Sequence, residues 1–457
     1  MTTTSDTLAE AFRAGFSGTS VTPDDPRYET ARAVWNGTVT TRPALIARCH
    51  TIADVVSAVN LARELEAPLA IRAGSHSVAG LSSVADGVVI DLSTMRGVHV
   101  DAERRVAVVE PGATWADFDA ATAVHGLAST GGLISTTGVA GLTVGGGIGW
   151  LQRKYGLACD NLRAAQLVTA DGALIDADDA LLWGLRGGGG NFGVVTRFEF
   201  DLHPVSTVLG GLMIFPFDRG TEVLRAFREW AADAPDEASL LASIMTAPPE
   251  EFVPPKLAAQ KIVALVGCWC GDLTAGEQAL APLRGLGPAV DLFGPMPYPA
   301  LQSMLDHSAP HGLRNYFRAG FVADLSDEVI AAALEHGQLM QSPMSMIHFH
   351  QMGGAVGRLG PDSSAFSGRG AGYTYNLIAT WTDAAEDDIQ VSAARDAAAA
   401  LAPLSMASTY VNFVSETDAD RVRAAYGDVI YDRLARLKRQ YDPGNLFRRN
   451  QNIRPAP

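Results

Sequence analysis

No stretch of about 18 consecutive apolar residues occurs in the chain, so no segment reads as a membrane-spanning helix. The opening segment, MTTTSDTLAEAFRAGF, lacks a basic patch followed by an apolar core and is read as carrying no secretory signal. Positive charge is in deficit: 35 Lys and Arg against 50 Asp and Glu leave a formal charge of −15. That balance disfavours nucleic acid and anionic membrane surfaces as partners. Cysteine is scarce, at four residues. Cys268 and Cys270 would project to one side of a strand, but nothing nearby completes a metal set. The reading is buried free thiols, no metal site and a reduced, cytoplasmic setting. No repeat or low-complexity tract is evident. Also missing is the usual dinucleotide fingerprint: no G-x-G-x-x-G sits between a first strand and a helix with an acidic residue about 20 positions on. A doubly wound nicotinamide dehydrogenase is therefore disfavoured.

What is present is ample apolar content, 47% against 19% charged, which is enough for a full core. At 457 residues the chain exceeds one ordinary domain, and two lobes sharing one site are expected. Residues 43–205 read as strands interleaved with helices. PALIARC, LAIRAG, VVIDLS and RVAVVEPG are strands. Thr51 caps one helix, TWADFDAATAVHG forms another, and Asp171-Gly172 turns a hairpin. From about 206, strands at STVLGGLMIFPF, KIVALVGCWCGD, NYFRAGFVA, MSMIHFHQMGG and YTYNLIATW alternate with helices at 219–233, 326–340 and 384–402. This pattern suits an antiparallel sheet backed by helices, an α+β fold. After 405 come YVNF, read as a strand, and one long charged helix from about 417.

Three glycine-rich loops stand out: Arg72-Ala73-Gly74-Ser75-His76-Ser77, Gly138 to Gly149, and Gly187 to Gly193. Glycine lets backbone N–H groups approach phosphate oxygens, and three such loops within about 120 residues exceed what turns require. They point to a bound diphosphate.

At RPALIARC, RAGSHSVAG, VVIDLSTM, GGGIGWLQRKYGLACDNL, LRGGGGNFGVVTRFEF and YDPGNLFRRNQNI the chain resembles the vanillyl-alcohol-oxidase/p-cresol-methylhydroxylase flavoproteins, in their berberine-bridge-enzyme-like branch. The resemblance implies a two-lobe fold. Residues 1–205 would form the first part of a PCMH-type FAD-binding domain, 206–405 a substrate domain, and 406–457 a segment returning to the FAD domain. It implies FAD bonded covalently to His76; the plainer alternative is a loop histidine that only hydrogen-bonds phosphate. Ala73 and Ser75 depart from the family's glycines. Ile134 falls where many relatives carry a second, cysteinyl attachment, which implies single attachment here. The resemblance places the cofactor against Arg72, Ala73, Gly74, Ser75, His76, Ser77, Thr137, Gly138, Gly141, Leu142, Gly146, Gly147, Val195, Asn450 and Asn452. For the two asparagines, a C-terminal cap is the alternative.

On MSMIHFHQM, period two puts Met344, Met346, His348, His350 and Met352 on one face. The family often has an acidic base on this strand; His348 and His350 stand in those places. Histidine accepts protons near neutral pH, yet two packed histidines on a Met-lined wall fit the pattern equally. Tyr410, in YVNF, is either a third catalytic group or a core tyrosine. Tyr373 and Tyr375 are candidates to line the pocket, with Asn376 facing away from them. Arg153 reads as the solvated end of a helix.

The implied activity is an FAD oxidase acting on a small organic or natural-product substrate of secondary metabolism. O2 would be the second substrate, with Thr137 and Leu142 flanking the oxygen-reacting face. A monomer or homodimer is expected. The alternatives are a flavin dehydrogenase or oxygenating enzyme, a flavin or ligand carrier with little turnover, and an NADPH-using UDP-N-acetyl-enolpyruvoyl-glucosamine reductase-like enzyme without the histidyl bond.

Overall fold

Short β-branched runs separated by turn residues build the first half of the chain. The computed structural model describes residues 4–360, 362–416 and 418–457. Residues 1–3, which open the segment read for a signal, and Thr417, the expected start of the C-terminal helix, lie outside the described residues. Strands β1 (Thr19–Val21), β2 (Leu45–Arg48), β3 (Leu69–Arg72) and β4 (Val88–Asp91) form a sheet of order β1-β2-β4-β3. Both β2 and β3 run parallel to β4. The helix Ile52–Glu64 makes the crossover from β2 to β3. Its N-terminus is the predicted one: Thr51 Oγ1 accepts from Asp54 N at 3.2 Å, and the Asp54 carboxylate accepts from Thr51 N at 3.0 Å.

A second sheet joins β5 (Val98–Asp101) and β6 (Val106–Val109). Beyond the helix Trp115–Ala123 follow a short β7 (Leu127–Ala128), then β8 (Leu162–Val168), β9 (Leu174–Asp176), β10 (Val194–Asp201) and β11 (His203–Pro204). The order is β5-β6-β10-β8-β9, and β11 pairs with β7. The β8–β9 hairpin turns at Asp171-Gly172, where Gly172 has φ +85°.

The third sheet comprises β12 (Thr207–Pro216), β13 (Ala238–Thr246), β14 (Lys261–Trp269), β15 (Val290–Asp291), β16 (Gly294–Pro297), β17 (Arg314–Val322), β18 (Met346–Gln351) and β19 (Tyr373–Trp381). It is antiparallel, of order β15-β12-β14-β13-β18-β19-β17, with β16 beside β12. Helices Gly220–Ala232, Leu273–Arg284, Asp327–Leu339 and Asp387–Leu401 cover one face, burying Phe227, Leu280, Ile330 and Ala397 against Leu240, Ile347, Phe349 and Leu377. The other face turns toward the first half, where Leu241, Val266 and Cys268 share a core with Trp150 and Leu151.

The sequence reading missed β13 and the helix Leu273–Arg284. Every β13 residue except Met245 is buried, so it shows no polar alternation to betray it. The predicted single C-terminal helix is two, Ala419–Tyr426 and Asp428–Tyr441, broken at Gly427 with φ +75°. The YVNF segment is no strand; Val411–Phe413 is one turn of 3₁₀ helix. These C-terminal elements pack onto the first half: Tyr426, Leu434 and Leu437 share a core with Trp115, Phe192 and Phe198.

Candidate active site

A cavity of about 410 Å³ opens between the glycine loops and the face of the third sheet that its helices leave uncovered. Two of the loops meet at glycines. A Cβ on Gly74 would run into the Cα and N of Gly138, and one on Gly138 would lie 2.6 Å from Gly74 N. The Gly138 segment is held by the start of the helix Trp115–Ala123: Trp115 N donates to Thr137 O, and Val139 N to Ala113 O. From Gly138 the chain enters a short helix, Val139–Val144, where the sequence reading saw only loop.

Residues 73–77 all line the cavity. Ser75, where a glycine was the expected type, keeps the left-handed backbone at φ +62°. No described protein group accepts from the N–H of Gly74, Ser75, His76 or Ser77. Successive free N–H groups around a left-handed residue form an anion nest. His76 stacks on Trp35 at 5.2 Å between centroids and meets His311 edge-on at 5.4 Å. Its Nε2 lies 3.0 Å from Thr136 Oγ1. Burial, then the neighbouring His311, pulls its pKa down to about 3, so the ring is neutral.

Of the remaining expected cofactor residues, Thr137, Gly138, Gly141, Leu142, Val195 and Asn450 line the cavity. Arg72, Gly146, Gly147 and Asn452 do not. Arg72 is buried behind the loop, donating to Asp91 Oδ2 at 2.7 Å and Ala31 O at 2.5 Å, so its guanidinium is paired inside the sheet. Gly147 spends its N–H on Tyr410, and Gly146 backs onto Phe366 and Tyr410. Asn452 lies beyond the turn that brings Asn450 in.

The C-terminal loop is set by a buried ion pair that the sequence reading did not identify. Lys438 Nζ donates to Asp442 Oδ2 at 2.7 Å, Asn191 O at 2.7 Å and Phe447 O at 2.8 Å, while Asp442 accepts from the N–H of Leu446 and Phe447. Arg153 is likewise no solvated residue: its guanidinium is buried and donates to the carbonyls of Ala238, Met352 and Ala234. It binds the end of the glycine run to the third sheet.

On that sheet Met346, His348 and His350 face the cavity, joined by Asn376, Ile378 and Thr380 from β19 and Asn315 and Phe317 from β17. The two histidine rings are 5.6 Å apart. Burial lowers His348 to about 4; burial, then His348, holds His350 well below its ordinary value. Tyr373 and Tyr375 sit on the opposite face, packed under the helices, so the candidate lining tyrosines are core and Asn376 is the wall residue. Tyr410 lines the cavity from a loop, its oxygen accepting from Gly147 N at 3.0 Å, Ile148 N at 3.2 Å and Asn412 Nδ2 at 2.9 Å.

The residues present fit FAD. The nest suits a diphosphate, the Gly74–Gly138 crossing lets the two loops approach as closely as only glycines allow, and Val195, Phe198 and Phe447 offer apolar walls for rings. The buried Asn450 Oδ1, on a lining residue, has no protein partner, as expected where a ligand completes the hydrogen bonding. A free N–H nest joined to a wall of buried histidines fits a flavin-dependent oxidoreductase.

Residues 43–178 match the family described as FAD binding domain, and residues 409–454 that described as berberine and berberine like. The chain belongs to the berberine-bridge-enzyme-like FAD-linked oxidoreductases, with their PCMH-type α+β fold. It is 33% identical over 433 residues to an FAD-linked oxidoreductase of Dictyostelium discoideum, covering 92% of this chain and 91% of the relative. It is 31% identical to (R)-6-hydroxynicotine oxidase of Paenarthrobacter nicotinovorans, covering 96% and 97%. The crystal structure of 6-hydroxy-D-nicotine oxidase from Arthrobacter nicotinovorans superposes with a TM-score of 0.88 at 28% identity, covering 96% of this chain and 98% of that one. Among the described residues no helix is long and apolar enough to cross a membrane.

Proposed function

We propose that the protein is an oxidase that carries FAD covalently on His76. The observation that carries this reading is that His76, the anion nest, His348, His350 and Tyr410 line one cavity. FAD, when bound, supplies an acceptor for a substrate hydride, and O2 takes the electrons on to H2O2. A neutral imidazole is the nucleophilic form, which is what attachment needs. With Nε2 directed at Thr136, Nδ1 is the nitrogen left for the bond. Ile134 lines the cavity while Cys159 is buried away from it, which supports a single attachment.

His348 or His350 accepts the substrate proton, and Tyr410, which meets His350 through Phe413, orients or protonates the substrate. Arg72, Gly146 and Gly147 support the loops from behind. Thr137 and Leu142 leave an oxygen-facing side of small and apolar groups. Domain borders near 205 and 405, a cytoplasmic monomer or homodimer, a place in secondary metabolism, and no nucleic-acid or membrane partner complete the reading.

The test is anaerobic mixing with a substrate panel, then stopped-flow mixing with O2 and assay of H2O2. Bleaching of the oxidised flavin band followed by rapid reoxidation is expected. Reoxidation no faster than that of free reduced flavin would make it a dehydrogenase. Absence of bleaching with every candidate would favour a flavin carrier.

A further inference from the structure

The wall above His348 is polar without being charged. His348 stands opposite Ser243 of β13 on one side and Asn376 of β19 on the other, so the three form a row across neighbouring strands. Ser243 Oγ, Asn376 Oδ1 and the adjacent His350 Nε2 are all buried without a protein partner. Around this row Met346, Ile378, Phe317, Phe413 and Leu133 are apolar, and the polar Thr380 and Asn315 bond to each other.

Among the described residues no Asp, Glu or Lys lines the cavity, and the one arginine that does, Arg449, donates to the carbonyls of Gly80 and Ser83. The carboxylates near the rim are also committed. Asp306 accepts from Ser135 N at 2.7 Å and from its hydroxyl, and Glu416 is held by Tyr316, Arg318, Arg395 and Arg421.

We propose that the substrate is an uncharged alcohol on a hydrophobic ring framework, recognised through its hydroxyl by His348, Asn376 and His350, with Ser243 standing behind the lining. This rests on the oxidase reading above. A hydroxyl both donates and accepts, which matches an amide oxygen and a neutral imidazole set side by side. An ammonium carries only donors and would be desolvated with no counter-charge; a carboxylate would meet no free cation. Burying either ion unpaired is costly. In the reaction the alcohol C–H yields its hydride to FAD and its O–H yields a proton to a wall histidine, forming C=O; O2 is reduced to H2O2.

The experiment compares 2-phenylethanol, 2-phenylethylammonium and phenylacetate, near-isosteric probes differing in charge. Binding is read at pH 7 from perturbation of the flavin spectrum of the oxidised holoenzyme. The alcohol should bind at least ~10-fold tighter than either ion, given the cost of an unpaired buried charge. In Asn376→Asp, which adds a carboxylate at nearly constant shape, the ammonium should gain at least ~10-fold by the same electrostatics. Ammonium binding as tight as the alcohol in the unaltered protein, no measurable alcohol binding, or no ammonium gain in Asn376→Asp overturns the inference. Flavin content, measured first, separates the two claims: a flavin-free protein sinks the oxidase reading, whereas a flavin-loaded protein that prefers an ion sinks only this one.

Discussion

Tyr410 receives three N–H groups on one oxygen, yet it stays protonated. Burial raises its pKa and outweighs the donors from Ile148, Asn412 and Gly147, leaving it at about 12. Burial acts in the opposite sense on the wall histidines, holding His348 at about 4 and His350 well below its ordinary value. A base with a lowered pKa is competent above that value and fails only as pH falls toward it. The rate of anaerobic flavin reduction should therefore be flat from about pH 5.5 to 9, spanning the usual histidine range. An acid limb centred near the unperturbed histidine value would contradict this. The shared face of His348 and His350 was legible from strand period alone. The place of Asn376 was not, although its opposition to Tyr373 and Tyr375 was. Alternation tells which residues share a face; it does not tell which face meets a site when the sheet is covered on both sides.

At the scale of elements, helix Trp115–Ala123 leans on helix Tyr298–Ser303 through Asp119 and Gln302. Gln302 Nε2 donates to Asp119 Oδ2 at 3.1 Å and to Gly132 O at 3.3 Å, so it braces a segment that lines the cavity. Burial raises Asp119 to about 7 against that one hydrogen bond, and its Oδ1 has no partner. Between the unfolded value of 3.8 and about 7 the unfolded chain releases this proton while the native chain keeps it. Stability therefore falls as pH rises through that window and stays lowered above it. Asp119→Asn removes the penalty. It should raise stability at pH 8 by on the order of 1–4 kcal/mol and change little near pH 4. Denaturant unfolding at both pH values checks this; a variant less stable than the parent at pH 8 would refute it. Nothing in the sequence flagged Asp119, because an acid at mid-helix normally reads as solvated surface. The glycine crossing was legible as composition, but the pairing of Gly74 with Gly138 is a tertiary contact that no local pattern encodes.

For the whole molecule, the site is assembled from segments far apart in the chain. The nest comes from residues 73–77, the second loop from Thr137 to Gly145, the wall from β17, β18 and β19, and the last side from Tyr410 and the Phe447–Gln451 turn. The long order of family motifs made the FAD lobe legible, whereas β13 and the Lys438–Asp442 brace lacked a sequence signal, being buried on all sides. The central claim is that this assembly holds FAD through His76, and denaturing mass spectrometry of the intact chain tests it most directly. The purified protein should run heavier than its sequence by one FAD, and His76→Ala should run at the mass of the bare polypeptide. A parent chain at the bare mass, or a His76→Ala chain that still carries the flavin, would contradict the account.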